Sequence, residues 1–342
     1  MRFLRILLFP FAIIYDIVTT IRNYFFDINL FKSTDFKIPI VVVGNLNVGG
    51  TGKTPQIEYL IRLLKNSYKT AILSRGYKRE TTDFVLINKE HTYKDVGDEP
   101  LQYFRKFLNV TVAVDANRVR GVQNLVSLKS PEVILLDDAY QHRKIKGSFY
   151  ILLTKYDDLF TDDFLLPTGN LRESRRGAKR ADVILVTKCP NQLVKSKKDT
   201  ICNTLSKYNK NVFFTTISYA DDLRGCDKKM TIHDLKNYEV LLITGIANPE
   251  PLLDFLNNKQ ITFKHLAFSD HHNFTNLEIV NIQQKFDAIK SEQKIILTTE
   301  KDYVRLVNKI ENLTYIEIET VFIDDDDKFD DTILSHIKQN RC

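Results

Sequence analysis

Between Gly44 and Pro55 the chain reads Gly-Asn-Leu-Asn-Val-Gly-Gly-Thr-Gly-Lys-Thr-Pro, directly after the β-branched run from Ile40 to Val43. This spacing can grip a phosphate. Gly49, Gly50 and Gly52 let backbone N–H groups close around phosphate oxygens, and a helix starting behind them adds its positive end. Asn47, Val48, Gly49, Gly50, Thr51, Gly52, Lys53 and Thr54 form the expected cradle for a nucleoside triphosphate. Lys53 would reach the β/γ-phosphates and Thr54 a magnesium ion. Asn47 stands where the strict GxxxxGK[ST] pattern has its first glycine. A buried-strand run before the turn and a helix over 55–65 after it, with proline in its first turn, supply the context a bare pattern lacks. The competing reading, a chance glycine-rich turn, gives Lys53 and Thr54 no packing role.

Carboxylates follow where such a cradle needs them. Val-Ile-Leu-Leu ends in Asp137-Asp138, and a magnesium ion held by Thr54 calls for an acid at the end of a neighbouring strand. Gln141 and His142 come next, on the loop at the carboxyl edge where open α/β sheets bind ligands. Asp98-Glu99-Pro100 opens a helix, where two acids ordinarily serve as caps and dipole complements. Asp270-His271-His272 changes the weighing, because phosphoryl transfer to a hydroxyl needs a positioned base and a carboxylate held on an imidazole serves. Spacing leaves open which acid meets which histidine. Arg75, Arg118, Arg172 and Glu173 lie in polar groups at strand ends, where arginines can neutralise phosphate charge or simply occupy surface loops.

Two nucleotide-hydrolase classes lose ground. A guanine reader would be Asn-Lys-x-Asp, and the nearest match, Thr187-Lys188-Cys189-Pro190, lacks the acid. A partner-activated ATPase of the deviant type would carry lysine where Val48 stands.

The elements that must position these groups alternate. Strands are expected at 70–74, 110–114, 133–137, 150–154 and 183–187, with helices at 100–107 and 118–128 between them. That rhythm is the mark of an α/β fold, here a P-loop NTPase-type, mostly parallel sheet flanked by helices. A polar, turn-rich stretch at 219–229 reads as a linker. Alternation then resumes with strands at 240–244, 262–268, 294–299 and 315–319, giving a second, smaller α/β unit. The acidic run Asp324 to Asp327 reads as a solvated loop and cap before a last helix from Thr332. The expected division is 1–26 an amphipathic helix, 27–218 the P-loop domain, 219–235 the linker and 236–342 the smaller domain.

The 342 residues, 43% of them hydrophobic, favour two domains over one. A net charge of +6 is small against 49 basic and 43 acidic residues, and scattered bases give no nucleic-acid stripe. Cys189, Cys202, Cys226 and Cys342 lack metal or disulfide-framework spacing, so reduced thiols in a cytosolic compartment are expected. From Phe3 to Ile21 most residues are large and apolar, while Arg2, Arg5, Asp16, Thr19, Thr20 and Asn23 fall on one narrow helical stripe. Pro10 and Asp16 cut the apolar run below the roughly 18 residues of a spanning helix, so an interfacial helix is expected. A secretory signal is disfavoured because no small-x-small site follows. An ordinary domain-capping helix is the alternative.

Gly44 to Pro55, Ser74-Arg75-Gly76-Tyr77, Gly97-Asp98-Glu99-Pro100, Asp137 to His142, Leu166-Pro167 with Gly169, Leu171-Arg172-Glu173, Gly245 to Pro249, Asp270-His271-His272 and Thr299-Glu300-Lys301-Asp302 together resemble the tetraacyldisaccharide 4'-kinase (lipid A 4'-kinase) family. They run in family order across nearly the whole chain, and the Asn47 form of the cradle is the family's own. The resemblance implies transfer of the ATP γ-phosphate to the 4'-hydroxyl of lipid A disaccharide 1-phosphate, giving lipid IVA. It places the reaction at the cytoplasmic face of a Gram-negative inner membrane, where an anionic surface would meet the N-terminal helix. It further implies Asp98 as catalytic base with His271 as partner, Lys53 on the phosphates, and Thr54, Glu99 and Asp138 around Mg2+. Arg75, Arg118, Asp137, Gln141, His142, Arg172 and Glu173 match positions lining the site. No nucleic-acid partner and a monomer are expected. A P-loop ATPase or GTPase coupling hydrolysis to a partner, and a peripheral membrane binding protein, are the competing functions.

Overall fold

The structure, a computed structural model, describes residues 5–209, 211–226 and 228–340. Its first long helix, α1 (Phe9–Asp27), precedes a strand, β1 (Ile40–Asn45), with every residue buried. The element order then runs α2 (Lys53–Leu64), β2 (Thr70–Ser74), β3 (Val85–Leu86), α3 (Tyr93–Val96), α4 (Asp98–Lys106), β4 (Thr111–Val114), α5 (Arg118–Lys129), β5 (Val133–Asp137), β6 (Phe149–Lys155), β7 (Val183–Thr187) and α6 (Lys195–Leu205). After β8 (Val212–Arg224) and β9 (Met230–Thr231) come β10 (Glu239–Thr244), α7 (Glu250–Asn258), β11 (Phe263–Ala267), α8 (Asn276–Asp287), β12 (Lys294–Thr299), α9 (Glu300–Leu306), β13 (Leu313–Phe322) and α10 (Asp326–Gln339).

Among the described residues these strands join one sheet in the order β11-β10-β12-β13-β8-β7-β6-β1-β5-β2-β4-β3, with β9 beside β8. β1 lies between β5 and β6, parallel to both. The chain first builds outward on one side of β1 and later on the other, so its carboxyl end opens at a switch point, the usual ligand crevice of such sheets. The β-branched and leucine-rich runs of β1, β5 and β7 are fully buried, as strands covered on both faces require.

β8 explains how the two halves face each other. Its start pairs parallel with β7, and its remainder pairs antiparallel with β13. β10, β12 and β13 run parallel to one another, hence against the first half and displaced along β8. Their carboxyl ends therefore point back toward the carboxyl edge of the first half.

Two expectations change here. Residues 219–224, read as the start of a linker, are the second half of β8; Asp221 and Asp222 made the segment look like a turn, yet its backbone is paired with β13 and β9. The last helix starts at Asp326 rather than Thr332, its acids sitting in the first turn where they complement the helix dipole. α10 also reaches the first half: Phe329, Ile333 and Ile337, within the expected 236–342 unit, share a core with Val41, Ile57 and Leu60, while Phe329 keeps contact with Phe322 of β13. Arg2, Asp227 and Cys342 lie outside the described residues, whereas Cys189, Cys202 and Cys226 are free thiols.

Candidate active site

The glycine-rich turn takes its shape from backbone that only glycine adopts readily. Gly49 and Gly52 have φ of 117° and 86°, and Gly52 leads directly into α2. The turn is braced from below: Thr187 at the end of β7 donates to Thr51 O at 2.8 Å, Val48 N–H to Asn170 O at 2.7 Å, and Asn47 Nδ2 to Asp163 Oδ2 at 3.1 Å. Lys53 lies 3.5 Å from Asn45 Oδ1 and 3.7 Å from Asp138, so its ammonium sits at the mouth of the cradle.

Acids gather beside it. Thr54 Oγ1 donates to Glu99 Oε1 at 3.1 Å, and Ser74 Oγ to Asp137 Oδ2 at 3.1 Å. Asp137 is buried, and burial followed by the charges of Glu99 and Asp138 pushes its carboxyl well up. Asp137 Oδ1 has no hydrogen-bond partner. Burial would also raise Asp138, but Lys53 and Arg172 outweigh it and hold that carboxyl at about 2. Asp138 has φ of 47°, a strained setting that turns it toward both cations. An orphaned carboxylate oxygen, a hydroxyl and two further acids fit a hard cation that keeps waters and phosphate oxygens among its ligands, as magnesium does. Among the described residues no three acidic, histidine or cysteine side chains form a metal cage of their own.

Arg172 donates to Asp138 at 2.9 Å and to Asn45 Oδ1 at 2.5 Å. Gln141 Nε2 donates to Asn45 O at 2.9 Å and Glu173 Oε1 at 3.0 Å. Glu173 is buried behind the site on Arg180, so it braces Gln141 rather than lining open space. Arg118 is buried at the start of α5, donating to Asp115 O at 2.5 Å with its Nε unpartnered; burial lowers its pKa to about 10. Burial, then Arg118 and Arg75, lower His142 to about 4, so its imidazole is neutral. Arg75 is exposed at the end of β2.

The two halves meet across the cleft. Gly97, with φ of 91° and ψ of 159°, starts α4 and delivers Asp98 in its first turn. His271 Nδ1 stands 2.9 Å from Asp98 Oδ2. His271 itself has φ of 57°, and the Tyr77 ring sits edge-on to it, 5.7 Å between centroids. Burial would raise Asp98, but hydrogen bonds from His271 and Arg305 leave its carboxyl below the ordinary value. Lys53, Asp138, Gln141 and Arg172 thus meet around Asn45 and Asp138, with Asp137 and the Thr54–Glu99 pair beside them in the chain and Asp98, joined to His271, next to Glu99.

Four residues carry contacts that the sequence reading left without a role. Asn45 accepts from Lys53 and Arg172, Tyr77 covers His271, and Lys301 approaches His271 Nε2 at 3.0 Å. Arg305 clasps both oxygens of Asp98, with Nε 2.8 Å from Oδ1 and Nη2 on Oδ2. Lys301 and Arg305 are one turn apart on a short helix after a buried strand, a local signal that could have drawn notice.

A glycine-rich turn ending in Lys53-Thr54 at a sheet switch point, with acids gathered beside it and a buried carboxylate–imidazole pair, is the arrangement expected of a nucleotide-dependent phosphotransferase. The profile of the LpxK family, Tetraacyldisaccharide-1-P 4'-kinase, matches residues 4–338, and the chain belongs to that family. It is 50% identical to a tetraacyldisaccharide 4'-kinase of Flavobacterium johnsoniae over 99% of both chains. Identity to the enzyme of that name from Bacteroides thetaiotaomicron is 41%, covering 97% of this chain and 93% of that one. The crystal structure of LpxK from Aquifex aeolicus in complex with ATP superposes with a TM-score of 0.80 at 29% identity, covering 98% of this chain and 99% of that one.

Proposed function

We propose that this protein transfers the γ-phosphate of ATP to the 4'-hydroxyl of tetraacyldisaccharide 1-phosphate, giving lipid IVA, with Asp98 as the base. Family membership supports the reaction, and the junction of Asp98 with His271 beside the Lys53 cradle is the observation that carries the roles. A sugar hydroxyl is a very weak acid, so Asp98 accepts its proton as the bond to phosphorus forms. Lys53 and Arg172 offset phosphate charge, and Arg118, Gln141 and His142 line the approach. Magnesium, when bound, neutralises the phosphates further, with Thr54, Glu99, Asp137 and Asp138 as its candidate neighbours. Because Asp98 and His271 come from opposite sides of the cleft, their meeting encloses the reacting centre and limits loss of phosphate to water.

The N-terminal helix supports an interfacial setting. Its polar side faces the protein: Tyr15 donates to Arg172 O at 2.8 Å and Asn23 to Glu173 at 3.0 Å, and Arg5, ahead of the helix, donates to Asn170 at 3.1 Å. Leu7, Phe11, Ile14, Ile17, Val18 and Ile21 are exposed, and no helix of the described residues is long and apolar enough to cross a membrane. A helix with its apolar side outward, tied by polar bonds to the loops of the site, suits an enzyme seated on a lipid surface, here the cytoplasmic leaflet. One monomer holds every residue the reading needs.

Incubation with γ-labelled ATP, magnesium and the disaccharide 1-phosphate tests the reaction. Label is expected on the lipid; label released only as inorganic phosphate, at a rate indifferent to the acceptor, would favour a hydrolase instead.

A further inference from the structure

We propose that Lys301 and Arg305 of α9 are positioning residues that fix His271 in its Nδ1–H form and leave one oxygen of Asp98 open to the acceptor proton. This rests on Asp98 being the base.

Lys301 Nζ lies 3.0 Å from His271 Nε2 and 2.8 Å from Asp270 Oδ1. An ammonium has donors and no acceptor, so Nε2 must present its lone pair to it. Nδ1 lies 2.9 Å from Asp98 Oδ2 and 3.1 Å from Arg305 Nη2; the carboxylate oxygen is the nearer and can only accept, so the proton of the ring sits on Nδ1 while Arg305 Nη2 is taken up by Oδ2. The contact of the ammonium with Nε2 therefore selects the tautomer. The imidazole can then donate to Asp98 without competing for the acceptor's proton.

Arg305 settles the other partner. Its Nε donates to Asp98 Oδ1 at 2.8 Å, Nη2 reaches Oδ2, and Nη1 donates to His272 O at 2.6 Å. The planar fork therefore ties Asp98 to the loop that carries His271. Oδ2 accepts from both Arg305 and His271, whereas Oδ1 accepts from Arg305 alone. A carboxylate oxygen offers two lone pairs, so Oδ1 keeps one. As the acceptor oxygen's electron pair bonds to phosphorus and the bond to the departing ADP oxygen breaks, the hydroxyl proton moves to Oδ1. His271 keeps its own proton throughout.

The helix that carries both cations is anchored to the histidine loop. Asp302 accepts from Gly245 N–H at 2.8 Å and from Thr299 Oγ1 at 2.7 Å, and His271 N–H donates to Gly245 O at 3.2 Å. These bonds hold His271 at its left-handed φ, which an unsupported histidine would leave.

Histidine-selective 15N spectra of the full chain in detergent micelles, with His271→Gln to assign the signal, report the tautomer directly. Wild type is expected to show a protonated Nδ1 and an unprotonated Nε2. Lys301→Met should populate the Nε2–H form and lower kcat by about tenfold or more, with KM for ATP unchanged, and Lys301→Arg should restore both the tautomer and most of kcat. Arg305→Lys should lower kcat while KM for ATP holds, since one ammonium cannot span both oxygens. An unchanged tautomer in Lys301→Met, or unchanged kcat in Arg305→Lys, overturns the corresponding half of the proposal. If instead Asp98→Asn retained full turnover, the assignment of the base would fail while the tautomer measurement still stood.

Discussion

His271 Nδ1 meets Asp98 Oδ2 at 2.9 Å although 173 positions of chain separate them. The contact exists because β8 serves both halves of the sheet and turns the carboxyl ends of β10 and β12 back toward β1 and β5. α4 and α9 are clasped twice. Asp98 meets Arg305 at one end, and Lys106 meets Glu300 at 2.9 Å at the other. The meeting of Asp98 with His271 is therefore a property of the whole sheet, set by how two helices from opposite halves lock together.

The far clasp should be sensitive to charge. Lys106 also lies 2.8 Å from Glu58 and 3.4 Å from Glu317, and the three acids, Glu58, Glu300 and Glu317, are buried. Lys106→Met leaves these acids without their shared cation and is expected to cost about 3–5 kcal/mol in denaturant unfolding. A change below about 1 kcal/mol would remove the cluster from the account of stability.

The same cluster predicts a pH slope. Burial, then Glu58, raise the Glu300 carboxyl above its ordinary 4.5 in spite of Lys106. The folded state then binds that proton more tightly than the unfolded chain does. Its contribution to stability is complete below about pH 4.5 and is lost as the pH rises through the raised value. Glu300→Gln should flatten the stability profile between that pH and neutrality, as read by urea midpoints across pH. An identical slope in the variant would contradict this origin.

Gly97 should tolerate no side chain. Its φ of 91° with ψ of 159° lies in a region essentially confined to glycine, and an added Cβ would meet Tyr77 O at 3.1 Å. Gly97→Ala is expected to lose about 1–3 kcal/mol by thermal or denaturant unfolding. Turnover should fall as well, because Asp98 is the next residue. Full stability and full activity together would show that the turn can relax without consequence.

The exposed face of α1 should govern attachment to lipid. Phe11 and Ile14 are 61% and 59% exposed, so Phe11→Glu with Ile14→Glu leaves the core untouched. Co-sedimentation with anionic vesicles is expected to drop by about tenfold or more, with the melting temperature unchanged. Equal partitioning of variant and wild type would assign that face another role.

Local features were legible in the residues themselves. The strands at 70–74, 133–137, 183–187 and 294–299 fall where the apolar runs place them, because a strand buried on both faces needs an unbroken run. The cradle was legible too, since its glycines, lysine and threonine are consecutive. β3 and β9, two residues each, carry no periodicity to read. Residues 219–224 look like a turn by composition, but a polar strand in a twisted, partly exposed pair needs only backbone partners. Arg305 on Asp98 spans 207 positions and Lys106 on Glu300 spans 194, distances that no local spacing encodes. The polar stripe of α1 was visible, while its facing inward onto Arg172 and Glu173 depends on where those loops end up.

The role of Asp98 is decided by Asp98→Asn, which keeps the side chain's size and removes its charge. Calorimetry should give an ATP affinity within about threefold of wild type, while the single-turnover rate of phosphate transfer to the disaccharide falls by about 100- to 10,000-fold. A variant that binds ATP normally and transfers phosphate at the wild-type rate would show that Asp98 takes no proton from the acceptor.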